Sequence, residues 1–281
     1  MQPLSLAAPA KLNLSLAVLG RRSDGRHELA SVFVLLDLAD RLLVLPGCSG
    51  LRVESADASV PVDATNLAWR GLVAGLGGEP ELACLTVEKR IPATAGLGGG
   101  SSDAAAGWRL GRRLAGEPDV PTLAELEALG EIGADVPFFA AQLPAAEVRG
   151  IGERLEATQV PAAYAVLAVP SFGLSTAAVF AELRPSDWSC QPVPTGHNDL
   201  LAAARRLRPE LDGIFDVLRH AGGDPHLTGS GPTVYALTDD PERAEALAFA
   251  VERAGLRALR TRLPGAPSTI RALSDEEEAD Q

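Results

Sequence analysis

Residues 91–107, IPATAGLGGGSSDAAAG, decide how the rest of the chain is read. The segment before them, residues 82–90 (LACLTVEKR), has the pattern of a strand, and the segment after them is rich in alanine and favours a helix. Gly96, Gly98, Gly99 and Gly100 therefore fall at a helix N-terminus. Unpaired backbone N–H groups and the positive end of the helix dipole make that point a seat for an anion, and glycines let the anion come close. The natural guest is a phosphate. A flexible linker is the plainer alternative, but linkers do not usually lead into an alanine-rich helix through two serines, Ser101 and Ser102, suited to cap it.

The spacing sets aside the commonest phosphate loops. A P-loop requires glycine, four residues and then Gly-Lys-Ser/Thr, and no lysine follows these glycines. The dinucleotide fingerprint fails because Ser101 stands where its third glycine belongs. The catalytic-loop and metal-binding signatures of protein kinases are not found either.

Composition bounds the remaining choices. A chain of 281 residues with 46% hydrophobic content is globular, and its length favours two smaller cores over one. The net charge of −12 argues against nucleic acid as the main partner, although part of it sits in the run at residues 275–280 (DEEEAD), read as a disordered tail. Cys48, Cys84 and Cys190 are odd in number and scattered, so no metal spacing or disulfide framework follows, and a cytoplasmic location is expected. No apolar run is long enough to span a bilayer, so no membrane partner is expected.

Around the glycine loop the chain offers several chemically pointed residues. Residues 10–19 (AKLNLSLAVL) alternate with period two and predict a half-buried strand, Lys11, Asn13 and Ser15 on the face opposite the leucines. Lys11 is suited to neutralise a phosphate or a reacting hydroxyl, or it is an ordinary strand lysine. A turn at residues 21–25 precedes Arg26 and His27, and strands are predicted at residues 32–36, 41–45 and 51–55. Residues 63–76 read as a helix capped by Asp63 or Thr65, with Asn66 near the cap and Gly77-Gly78 as its stop. Lys89 and Arg90 place two cations beside the loop, or mark an exposed strand end. Asp103 suits the dipole of the helix. Asp135, in residues 133–139 (GADVPFF), is an acid among small and apolar neighbours, hence a buried cap or a general base. Further on, Tyr164 opens a strand buried on both faces, Ser175 or Thr176 opens a helix carrying Phe180, and Asn198-Asp199 caps another.

Six segments in this order resemble the GHMP kinases, the superfamily of galactokinase, homoserine kinase, mevalonate kinase and phosphomevalonate kinase. They are residues 9–14 (PAKLNL), His27 after its Asp-Gly turn, the glycine loop, residues 133–137 (GADVP), Asn198-Asp199, and residues 227–231 (LTGSG). The resemblance is to the branch whose acceptor is a cytidyl diphospho-sugar alcohol. It implies an α+β fold of two-domain GHMP-kinase architecture with the active site in the interdomain cleft. It divides the chain into an ATP-binding domain at 1–158, a substrate-side domain at 159–272 and the acidic tail at 273–281.

The implied reaction moves the γ-phosphoryl of ATP to the 2-hydroxyl of 4-diphosphocytidyl-2-C-methylerythritol, in the non-mevalonate route to isoprenoid precursors. By the resemblance Lys11 and Asp135 are catalytic. Pro92, Ala93, Thr94, Ala95, Gly96, Leu97, Gly98, Gly99, Gly100, Ser101 and Ser102 hold ATP, with Asn66 on its adenosine side. Asn13, His27, Thr176 and Phe180 hold the acceptor. ATP and Mg²⁺ are the implied cofactors, the metal ligands being unspecified, and a monomer or weak homodimer the implied assembly. Two positions depart from the pattern: Arg26 stands where the family has an aromatic residue, and Thr94 where it has a glycine. If that position requires positive φ, a β-branched residue there is costly. A sister kinase acting on homoserine or phosphomevalonate, and a non-catalytic nucleotide-binding module, remain as alternative readings.

Overall fold

The computed structural model describes residues 2–273; the acidic run at 275–280 lies outside the described residues. The alternation at residues 10–19 belongs to a longer strand, β1 (Leu4–Arg21), antiparallel to β2 (His27–Pro46). Residues 32–36 and 41–45, predicted as separate strands, are parts of this one 20-residue β2. Its two halves serve different neighbours, which no local pattern announces. Register shifts after Pro9, Asn13 and Val18 bend the pair, as bulges do.

β3 (Gly50–Glu54) is followed by α1 (Leu67–Leu76), which starts later than predicted, and β4 (Ala83–Glu88) then returns parallel to β3. The N-cap of α1 is Asn66 and not Asp63 or Thr65; its side chain accepts the amide of Ala68 at 2.9 Å. Next come α2 (Gly99–Leu114), α3 (Leu123–Gly130) with a Thr122/Glu125 capping box, and α4 (Val136–Ala140). The hairpin β5 (Ala145–Gly150) and β6 (Arg154–Ala157) joins the first sheet, in which β4 pairs with residues 41–46 of β2 and β5 with residues 29–34.

The second sheet starts at β7 (Ala163–Val169). It is followed by α5 (Thr176–Glu182), a 3-10 turn (Pro185–Asp187), α6 (Leu201–Leu207) and α7 (Leu211–His220). β8 (Pro225–Leu227), β9 (Val234–Thr238), α8 (Pro241–Arg253) and β10 (Arg257–Leu263) complete it, in the antiparallel order β10-β7-β9-β8. Last, β11 (Arg271–Ala272) returns to the first sheet beside β1.

Leu12, Leu14, Val34 and Leu36 of the first sheet share a core with Ala165, Leu167 and Tyr235 of the second. The other face of β1 is covered as well. Lys11, Asn13 and Ser15 are only 4%, 3% and 5% exposed, so the strand is buried on both faces and not half-buried as its alternation predicts. The polar face lies against the glycine loop and the 228–230 turn, where its groups find partners: the amide of Asn13 donates to Thr228 Oγ1 and its Nδ2 to Ser31 Oγ.

Cys48 and Cys84, read as carrying no disulfide framework, are bonded, with Cα atoms 5.3 Å apart. Parallel pairing of β3 with β4 sets Gly50 opposite Cys84 and brings the preceding Cys48 alongside, a proximity that 36 residues of sequence separation conceal. The argument from scattered cysteines to a reducing compartment is thereby removed. No helix among the described residues is long and apolar enough to cross a membrane.

Candidate active site

The glycine loop meets α2 at Gly98, the N-cap, which holds φ 73° and offers no side chain to the helix. The serines expected to cap α2 lie inside its first turns instead. Ser102 is committed to the helix, its amide bonding the carbonyl of Gly98 at 2.9 Å. The amides of Gly99, Gly100 and Ser101 precede it and have no place in the helical ladder, so the N-terminus of a 16-residue helix faces outward. Space as well as φ demands glycine in the loop. A methyl on Gly96 would lie 2.7 Å from the Thr228 carbonyl oxygen, and one on Gly98 would lie 2.9 Å from the ring of Phe139.

Thr94 does adopt positive φ, 51°. Its hydroxyl fills space that Gly173 leaves open, since a methyl on Gly173 would meet Thr94 Oγ1 at 2.7 Å.

β1 delivers Lys11 to this loop: the Lys11 amide donates to the Leu97 carbonyl at 3.0 Å, locking strand and loop together. The ammonium donates to Asn13 Oδ1 at 2.5 Å, lies 3.3 Å from Asp135 Oδ2 and sits 4.6 Å from the centre of the Phe33 ring. Asp135 precedes α4 but makes no side-chain cap, which removes the capping alternative. Its side chain is 29% exposed, against 4% for Lys11.

Lys89 is not the free cation expected beside the loop. It is buried between Asp40 and Asp103, 2.6 Å from Asp103 Oδ2, while Arg90 points outward and pairs with Glu88. Asp40 Oδ1 also accepts the amides of Arg90 and Ile91, at 2.5 and 2.8 Å, and so holds the entrance to the loop. Asp103 lies past the first turn of α2, so its part is this ion cluster rather than the dipole. Burial raises its carboxyl, Lys89 draws it partly back, and the neighbouring Asp40 carboxylate raises it again, to about 7. Asp40 escaped sequence reasoning; Asp37 and Arg41 flank it in the same strand, and nothing local marks Asp40 as the buried one.

At the other end of the cavity, His27 stacks on Phe180 with ring centres 5.4 Å apart and planes at 28°. Burial, with some help from Arg21, lowers the imidazole below its ordinary value. Thr176 Oγ1 is 2.9 Å from Ser230 Oγ, linking α5 to the LTGSG turn. Capping accounts for only part of the Asn198-Asp199 pair: Asn198 Oδ1 accepts the Leu200 amide at the start of α6, at 2.9 Å. Asn198 Nδ2 donates to the carbonyls of Leu227 and Gly229, and Asp199 Oδ2 accepts the amides of Val18 and Ser189, so the pair ties α6 to both sheets.

These pieces surround one cavity of about 990 Å³. Lys11, Asn13, Asn66, Asp135, His27, Thr176 and Phe180 line it together with every loop residue from Pro92 to Ser101. Ser102 is the exception. It is buried behind the loop, where its hydroxyl has no partner. Asn66 lines the cavity while capping α1, so one side chain combines the two roles its sequence context left open. Among the described residues no group of three His, Cys, Asp or Glu side chains could hold a metal ion.

Comparison with known proteins accords with this geometry. Residues 66–142 match the family "GHMP kinases N terminal domain" and residues 191–257 match "GHMP kinases C terminal". A 4-diphosphocytidyl-2-C-methyl-D-erythritol kinase of Thermus thermophilus is 38% identical over 265 residues, 88% of this chain and 92% of the relative. The enzyme of the same name from a Geobacter species is 37% identical over 276 residues, 90% and 96% of the two chains. A crystal structure of 4-(cytidine 5'-diphospho)-2C-methyl-D-erythritol kinase superposes with a TM-score of 0.78 at 36% identity, covering 93% of this chain and all of that one. Homoserine kinase from Cytophaga hutchinsonii, at 17% identity and a TM-score of 0.66, shares the fold. With a cavity built from the glycine loop, the Lys11–Asp135 pair and the His27–Phe180 stack, and with relatives this similar over nearly its whole length, the chain belongs to the 4-diphosphocytidyl-2-C-methyl-D-erythritol kinase family of the GHMP kinases.

Proposed function

We propose that the protein transfers the γ-phosphoryl group of ATP to the 2-hydroxyl of 4-diphosphocytidyl-2-C-methyl-D-erythritol, in a cleft between an ATP-binding domain (1–158) and a substrate-side domain (159–272). The observation that carries the reading is the placing of Lys11 Nζ and Asp135 Oδ2 3.3 Å apart on the wall of the cavity that the N-terminus of α2 faces. Phosphoryl transfer asks a protein mainly for alignment and charge neutralisation, and these are what the arrangement offers.

The free amides of Gly99, Gly100 and Ser101 bind the phosphates of ATP, and Asn66 lies on its adenosine side. Lys11 holds the acceptor oxygen and favours its alkoxide, while Asp135 orients the hydroxyl and takes its proton. A tertiary alcohol ionises only far above neutrality, so proton loss comes late, as the bond to phosphorus forms. His27, Phe180 and Thr176 hold the cytidyl end of the acceptor, and Asn13, bonded to Lys11, contacts the acceptor beside the reacting hydroxyl. Mg²⁺ would be carried by the phosphates of the nucleotide and need few protein oxygens, Asp103 and Asp135 being the carboxylates that line the cavity. The hydroxyl of Ser101 is the candidate ligand. An ATP-supplied, cytoplasmic setting suits the reaction.

The direct test incubates the purified protein with ATP, Mg²⁺ and the cytidyl diphospho-sugar alcohol and assays the monophosphorylated product, with homoserine and phosphomevalonate as competing acceptors. Asp135→Asn and Lys11→Ala are each expected to lower kcat by about 10²- to 10⁴-fold with little change in ATP affinity. Full turnover in either variant would remove that residue from the chemistry.

A further inference from the structure

We propose that Trp188 positions His27 for recognition of the substrate's base, an inference that rests on the cytidyl-acceptor reading above. Trp188 does not line the cavity. It meets His27 edge to face, ring centres 5.6 Å apart and planes at 80°, while Phe180 stacks on the same imidazole at 5.4 Å. His27 is thus held by two aromatic rings set at different angles to it, which together fix its plane.

The residues on either side of Trp188 are clamped. On the N-terminal side, Arg206 Nη2 bonds Asp187 Oδ2 at 2.6 Å. The same guanidinium reaches back to α5, bonding Glu182 Oε1 at 2.6 Å and the Glu182 carbonyl at 2.9 Å, so one residue sets the distance between the Phe180 helix and the indole. On the C-terminal side, Ser189 donates to Asp199 through its amide at 2.9 Å and its hydroxyl at 2.6 Å. Asp199 also accepts the Val18 amide at 2.7 Å, which joins this clamp to β1.

The indole N–H is buried and has no hydrogen-bond partner. The ring packs against the core cluster of the second sheet on one side and against His27 on the other, at the cost of an unpaired donor. The neighbouring residue on the loop side, Arg26, is exposed and supplies no aromatic ring. A neutral imidazole offers one donor and one acceptor, the pairing that reads a base edge, and it reads well only when its plane is fixed. Burial and Arg21 both favour that neutral form.

The test uses the full-length protein with CMP as probe, titrated calorimetrically, alongside acceptor and ATP KM values. Trp188→Leu is expected to weaken CMP binding and raise the acceptor KM by about tenfold, the scale of a lost aromatic contact plus a loosened ring, while the KM for ATP stays unchanged. Trp188→Phe should restore most of the CMP affinity. In a His27→Ala background, Trp188→Leu should add no further loss, because the indole acts only through the imidazole. Unchanged CMP binding in Trp188→Leu, an equal loss with and without His27, a parallel loss of ATP, or a wild-type protein that does not bind CMP would each overturn the proposal. A wild-type protein that binds CMP but fails to phosphorylate the acceptor would defeat the proposed reaction while the Trp188 comparison is still decided by CMP.

Discussion

At residue 103 the chain puts a carboxyl group almost wholly out of water, facing one ammonium that it shares with Asp40. Two carboxylates and one lysine cannot all be charged in that space without cost, and Asp103 carries the consequence, its carboxyl pushed up to about 7. The sign follows by linkage. Between the ordinary aspartate value near 4 and about 7, the folded protein keeps a proton that the unfolded chain has released, so this group's stabilising effect is complete at low pH and is lost as pH rises through 7. Wild type should therefore lose stability relative to Asp103→Asn between about pH 4.5 and 7.5 and run parallel to it above. Urea midpoints measured in pairs across that range decide it; parallel curves throughout would show that Asp103 does not titrate there. Thr94 is the opposite kind of residue, because its strain was legible. The resemblance puts a glycine at this position, which raised the question of a positive φ, and φ is 51°. Its packing against Gly173, 79 positions away by the numbering, could not be read from the loop.

At the scale of elements, the phosphate-loop helix is held close to α1 by an absence of side chains. Gly71 and Gly75 of α1 lie against the backbone of Ala104 and Trp108 of α2, and Gly107 and Gly111 of α2 against the backbone of Ala68 and Leu72 of α1, so the two helices touch main chain to main chain. A methyl on Gly107 would fall on the Ala68 carbonyl oxygen and 3.0 Å from the Leu72 amide nitrogen. Helix propensity favours alanine over glycine by about 1 kcal/mol, but overpacking against rigid backbone costs about 1–3 kcal/mol or more, so packing wins. Gly107→Ala should lower Tm by several degrees. Gly213, in α7, has nothing within 4 Å of an added methyl, and Gly213→Ala should leave Tm unchanged or raise it. Calorimetric scans of the two variants check the pair, and a drop of equal size in both would refute the packing argument. The spacing of these glycines was visible in the sequence, yet only the crossing of α1 and α2 tells which helical glycines lack room.

For the whole molecule, β1 is the shared member. Its leucines pack toward the second sheet, its polar face carries Lys11 and Asn13 to the cavity, and its backbone bonds to residues from distant parts of the chain. Tyr235, fully buried on β9, donates its hydroxyl to the Asn13 carbonyl at 3.1 Å and so crosses from one sheet to the other. Tyr235→Phe deletes that bond while keeping the ring, and a stability loss of about 1–2 kcal/mol is expected in urea unfolding. Because Asn13 lines the cavity, the acceptor KM should rise in the same variant; a stable protein with unchanged KM would separate the sheet contact from the site.

Local chemistry settled what could be settled locally. A strand, a glycine turn and an alanine-rich helix specify an anion seat wherever they occur, because backbone dihedrals and free amides belong to the segment itself. Resemblance in six short segments supplied the family and the residues to watch. Tertiary structure decided the rest. Whether Lys11 meets Asp135, whether Lys89 is free or caged, whether Ser102 faces the cavity or the core, and whether Cys48 finds Cys84 all depend on distances between segments 14 to 124 positions apart. Periodicity reports which faces of a strand can be buried, but not what arrives to cover them. The polar face of β1 therefore looked exposed until the glycine loop and the 228–230 turn closed over it.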